Sequence, residues 1–180
     1  MRTQWKKWKL LGVATLLGGL AWTVHTFSGS PLPSRNYFEA SDQFILYSIN
    51  PIPKLLSDDA AENKQRQKQW GSSEIFQEYR VIGKTEITDS EVKARLLDAL
   101  YGGLDGENPY RMMCFSPRHG IRAIRGSKTV DLLICFKCAR IDVTSPLRTG
   151  SISINETAQW VFDRVLTAAK VPLAQPCCSE

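Results

Sequence analysis

Eighteen consecutive positions, Leu10 to Phe27, carry no Asp, Glu, Lys or Arg, while Arg2, Lys6, Lys7 and Lys9 precede them. An apolar run of that length reaches the lower limit for a membrane-spanning helix, and flanking basic residues stay on the cytoplasmic side. Trp5, Trp8 and Trp22 bracket the run, as suits a membrane interface. The pattern predicts a basic cytoplasmic leader over 1–9, a transmembrane signal-anchor over 10–27 and an exported remainder. A cleaved signal peptide is the alternative, because Gly19-Leu20-Ala21 and Thr26-Phe27-Ser28 place small residues at cleavage-like spacing.

Beyond the run, residues 28–41 read as a Pro/Ser tether, 42–172 as the domain and 173–180 as a tail holding Cys177 and Cys178. "DQFILYSI" (Asp42–Ile49) is aromatic and β-branched and stops at Asn50-Pro51, so it predicts a strand. The polar stretch 54–71 reads as a connection. Residues 75–87 predict a second strand with a bulge or bend at Gly83. Thr88 and Glu91 have capping-box spacing, followed by a stripe of Val92, Leu96, Leu97 and Leu100 and a stop at Gly102-Gly103. A second helix opens at Asn155, with Ala158, Val161, Phe162, Val165, Leu166 and Ala169 at helical spacing and Pro172 beyond it. Trp160 points away from that stripe, toward a neighbouring element or a partner. Two more strands flank Gly126-Ser127. The order β-β-α-β-β-α predicts an α+β domain: an antiparallel sheet of about four or five strands, with two helices packed on one face and an N-terminal membrane helix.

Charge changes the picture only by its position. The net charge is +5, but four of the 23 basic residues lie in the leader, leaving 19 against 18 acids. Nucleic-acid binding needs a concentrated excess of base, so no nucleic-acid partner is expected.

Candidate chemistry gathers in the hairpin. A two-residue turn at Gly126-Ser127 pairs Arg125 with Lys128. One face then carries Phe115, Pro117, His119, Ile121 and Ala123, opposite Cys138, Phe136, Ile134, Leu132 and Val130. The other carries Cys114, Ser116, Arg118, Gly120 and Arg122, opposite Ala139, Lys137, Cys135, Leu133 and Asp131. Slipping by one would set Arg118 and Arg122 against Ile134 and Val130, so packing selects the stated register.

That register weighs the thiols. Cys114, His119, Cys135 and Cys138 are zinc-ligand types. In regular strands, however, Cys135 and Cys138 face opposite ways, and Cys114 lies about 13 Å from Cys135 along the ladder. A bulge at Pro117 brings Cys114 opposite Cys138, which makes a Cys114–Cys138 disulfide a candidate in an oxidising compartment. Plain buried thiols are an equal alternative. A thiol nucleophile paired with His119 is the weakest reading, since His119 sits on the apolar face. Arg118, Arg122 and Lys137 form a possible basic strip for an anionic envelope component, partly neutralised by Asp131. With Trp160 they are the binding candidates.

"CFSPRHGIR" followed by "DLLICFKC" resembles a hairpin in a group of uncharacterised bacterial exported proteins, with weaker likeness in "LYSINP" and the last helix. The resemblance implies a bacterial origin and carries over no functional residue. The expectation is a domain tethered to the bacterial inner membrane by a single pass, or periplasmic after cleavage. It would act without enzymatic activity or cofactor by binding a protein or an anionic envelope component. A zinc or thiol-redox protein using Cys114, His119, Cys135 and Cys138 is the alternative.

Overall fold

Residues 29–53, 60–104 and 115–175 are described in a computed structural model of the chain. The leader, the apolar run, Cys114 and the Cys177-Cys178 tail lie outside the described residues. Among the described residues no helix is long and apolar enough to cross a membrane.

The elements run α1 (Arg35–Glu39), β1 (Gln43–Pro53), α2 (Ala60–Trp70), β2 (Ile75–Phe76), β3 (Tyr79–Glu86) and α3 (Ser90–Gly102). There follow β4 (His119–Arg125), β5 (Lys128–Cys135), β6 (Arg140–Thr144), β7 (Thr149–Ser153), a 3₁₀ turn (Glu156–Ala158) and α4 (Gln159–Ala168). The protein is α+β, with one curled antiparallel sheet of seven strands in the order β2-β3-β1-β4-β5-β6-β7. The expected four or five strands fall short because the stretch 75–87, read as one strand, is split into the paired strands β2 and β3, and because β6 and β7 form a hairpin of their own. Ile141 and Val143 alternate inward in β6, but β7 (TGSIS) offers only Ile152 as a large apolar residue. The stretch 60–70, read as part of a connection, is helix α2.

The hairpin register is as the alternation requires: Arg125 pairs with Lys128, Arg122 with Asp131 and His119 with Ile134. Gly126 has φ of 56° and Ser127 is not in the left-handed region, as a type II′ turn demands. Beyond His119 the regular pairing ends, because β5 stops at Cys135 and the chain turns back through Phe136–Ala139. Residues 136–138 therefore do not continue a strand opposite 115–117. Ser48 pairs with Gly83 while Ile49 pairs with Val81, so Ile82 is an extra residue beside the expected bend. The cap of α3 sits one residue later than the Thr88 box, at Asp89, whose carboxylate accepts from the N–H groups of Glu91 and Val92.

One face of the sheet meets the helices. Phe44, Leu46, Ile121, Leu132, Ile134 and Val143 pack against Phe38 of α1, Leu96, Leu97 and Leu100 of α3, and Phe162 and Leu166 of α4. Each such side chain contributes about 1.5–3 kcal/mol when fully buried. The opposite face is not simply solvated. The β2–β3 hairpin curls over it, and Tyr47, Ile49, Phe76 and Tyr79 form a second cluster there. Phe76 stacks on Tyr47 at 4.4 Å and lies 5.2 Å below the Arg122 guanidinium. Gly120 makes the close approach possible: a Cβ there would come 2.7 Å from Phe76 Cε1.

Candidate binding groove and the cysteine turn

Helices α3 and α4 lie side by side on the sheet, and each has an apolar stripe wider than the sheet can cover. Leu96, Leu97, Leu100, Phe162 and Leu166 turn inward, which leaves Val92, Ala99, Val161 and Val165 only partly buried between the helices. These residues floor a groove of about 830 Å³, within the usual size of a ligand site. Trp160, 63% exposed, stands at its rim. Arg95 and Arg164 also line it, and neither is ion-paired among the described residues. Of the acids there, Asp98 is engaged by Arg35 at 2.5 Å. Asp89 is held below the usual carboxylate range by the N–H groups of Val92 and Glu91. Glu86 has no ion pair among the described residues. Sequence periodicity marked Val161, Val165 and Trp160 but not the groove, which needs two helices at once.

At the far end of the sheet lies the cysteine turn. Cys135 and Cys138 are joined by a disulfide, with Cα atoms 5.1 Å apart. This corrects the expected opposition of their side chains, because the turn brings Cys138 back over Cys135. Cys138 therefore has Cys135 as its partner instead of Cys114, which lies outside the described residues. Both cysteines are buried, and the Ser116 N–H donates to Cys138 Sγ at 3.4 Å. Among the described residues no three His, Cys, Asp or Glu side chains gather as a metal-holding group.

His119 is buried on the helix face as expected, edge-on to Phe136 and Phe162 at 5.3 and 5.8 Å. Its Nε2 lies 2.8 Å from Asp163 Oδ1, a partner that hairpin reasoning could not supply because it comes from α4. Burial raises the Asp163 pKa, but hydrogen bonds with His119 and Gln159 and the nearby Arg118 charge carry it below the ordinary value. Ser48, opposite His119 on β1, completes the residue types of a hydrolytic triad. Its Oγ nevertheless has no hydrogen-bond partner, and both Ser48 and His119 are buried, so the geometry of an activated nucleophile is missing.

The three residues considered for a basic strip stand in different surroundings. Arg122 is engaged by Asp131 through two bonds of 2.8 and 2.7 Å, and Asp131 also accepts from Gln77 Nε2 at 2.6 Å. Lys137 is exposed in the cysteine turn, and the Arg118 charge is felt at Asp163 on the helix side. Phe115, expected in the core, is only half-buried, beneath the Arg140 guanidinium at 4.6 Å.

Comparison of the chain with protein-family models, curated proteins and solved structures finds no match.

Proposed function

We propose that the protein is a membrane-tethered, exported, non-enzymatic binding module whose working surface is the α3–α4 groove. The occupant is an amphipathic helical segment of a partner protein, with acidic residues flanking its apolar stripe. One observation carries this: an apolar floor beside an exposed Trp160 and two arginines without ion pairs among the described residues. A helix laid between two helices buries its i, i+3 and i+4 side chains in such a floor. Helices of 10 and 13 residues offer about 15–20 Å of length, some three turns. Among the described residues the groove lining contains no His, Cys, Ser, Lys or Tyr, and of its carboxylates Asp89 is committed to the α3 cap and Asp98 to Arg35, which favours a role in contacts.

The test is site-specific photo-crosslinking from positions 161 and 165 of the full-length protein in its membrane, followed by binding of a synthetic peptide from the captured partner. Trp160→Ala should weaken binding by about 2 kcal/mol, roughly thirtyfold, and Arg164→Glu should weaken it further. Peptide binding indifferent to both substitutions would refute the assignment. A reporter fused after Glu180 should be active only outside the cytoplasm, which tests the exported orientation separately.

The second reading is a thiol-redox or zinc protein. It is favoured by the bonded Cys135-Phe136-Lys137-Cys138 sequence in a turn. Zinc would require that bond to be reduced, since only thiolates ligate. Metal analysis of the purified protein with and without reductant decides it.

A further inference from the structure

The largest exposure of any bulky apolar side chain among the described residues is at Leu147, 83%, in the β6–β7 loop. The loop is well tied. The Ser145 N–H and hydroxyl donate to the Arg148 carbonyl at 3.0 and 2.8 Å, and the Arg148 N–H donates back to Ser145 Oγ at 3.1 Å. Leu147 is therefore held outward by a closed turn. From the same turn, Arg148 Nη1 donates to the Gly29 carbonyl at 2.6 Å. The following residues are fastened too: Pro31 lies against Gly150, Leu32 enters the core, and the Pro33 carbonyl accepts from Tyr101 at 2.7 Å. Gly29 is two residues past the end of the apolar run, a span of at most about 7 Å.

Topology adds charge at the same place. Because Asp131 pairs with Thr144, β6 ends beside the start of β5, so the β6–β7 loop and the β4–β5 turn share one end of the sheet. Arg125 and Lys128 of that turn are exposed, and neither is ion-paired among the described residues. Asp42, also there, accepts from the Gly126 N–H. The cysteine turn lies at the other end, about 25 Å away along an eight-residue strand.

We propose that the Ser145–Arg148 loop is a membrane-contact site. Leu147 enters the interface of the bilayer that holds residues 10–27, while Arg125 and Lys128 face its anionic headgroups. The proposal rests on residues 10–27 being a retained membrane segment. It makes the domain lie against the bilayer in one orientation, with the cysteine turn pointing away.

The test uses full-length protein reconstituted in vesicles of phosphatidylcholine and phosphatidylglycerol. A photo-reactive benzoylphenylalanine replaces Leu147 or, as the distal control, Lys137. Flotation with the vesicles first reports whether the chain is membrane-inserted; failure there removes the anchor and this proposal together. With flotation intact, the expected result is a lipid adduct from position 147 and none from 137. That adduct should fall in the Arg125→Glu/Lys128→Glu variant and in vesicles of phosphatidylcholine alone. Equal labelling at both positions, or none at 147, in a chain that floats overturns the contact site and leaves the anchor standing. So does an adduct at 147 in native membranes that is to protein instead of lipid.

Discussion

Adding one methyl group at Gly120 should destabilise the domain, and should do so only while Phe76 is present. The new Cβ would meet three atoms of the Phe76 ring, at 2.7, 3.0 and 3.3 Å, so the whole ring must move. That ring is 1% exposed, stacked on Tyr47, and covered by the Arg122 guanidinium. Overpacking a site of this kind costs about 1–3 kcal/mol. Against it, Gly→Ala in an allowed conformation stabilises by about 0.4–1 kcal/mol through the unfolded chain, and Gly120 is outside the left-handed region. The net loss should be about 1.3 kcal/mol, within a range of about 0–2.6 kcal/mol set by the same two effects. Phe76→Ala alone should cost about 3–5 kcal/mol. In that background the obstruction is gone, and Gly120→Ala should become neutral or stabilising by about 0.4–1 kcal/mol. Urea unfolding of the four proteins of the cycle, followed by far-UV circular dichroism, reads the sign directly. If Gly120→Ala costs the same with and without Phe76, the packing of the β2–β3 hairpin on the sheet is wrong.

Four further outcomes follow from the same structure. Peptide mapping without reductant should find Cys135 linked to Cys138, and replacing both by Ala should cost about 2 kcal/mol, the small value expected of a four-residue loop. Asp131→Ala should cost about 1.5–3 kcal/mol in urea unfolding, because it removes charge-assisted bonds from a site only 6% exposed. The exposed Lys84–Glu74 pair should be worth no more than about 1 kcal/mol when broken. Asp163 binds its proton less tightly folded than unfolded, so its contribution is complete above about pH 4, the unfolded value, and lost as pH falls through the folded one. Stability measured down the acid limb should therefore fall less steeply in Asp163→Asn than in the parent.

Legibility in the sequence tracked the range of the interaction. The β4–β5 register was readable because Gly126-Ser127 sets the turn and a slip by one residue would bury two arginines; each is a local constraint. Helices α3 and α4 were readable for the same reason, their stripes recurring every three or four residues, though competition between Thr88 and Asp89 for the cap was settled only in the folded chain. His119 was legible as a core side chain, yet its partner Asp163 lies 44 residues away on another element. The end of β5 had no sequence signal: the turn closes with Ala139 at φ of 50°, a conformation that a non-glycine residue does not advertise. On that turn depends whether Cys138 faces away from Cys135 or bonds to it. The covering of the second sheet face was equally out of reach, because it rests on an extra residue at Ile82, a glycine opposite a phenylalanine, and a Gln77–Asp131 bond across 54 positions. Periodicity reports which side of an element is apolar. It does not report how much of that side its neighbours will cover, and the groove between α3 and α4 is the part they leave open.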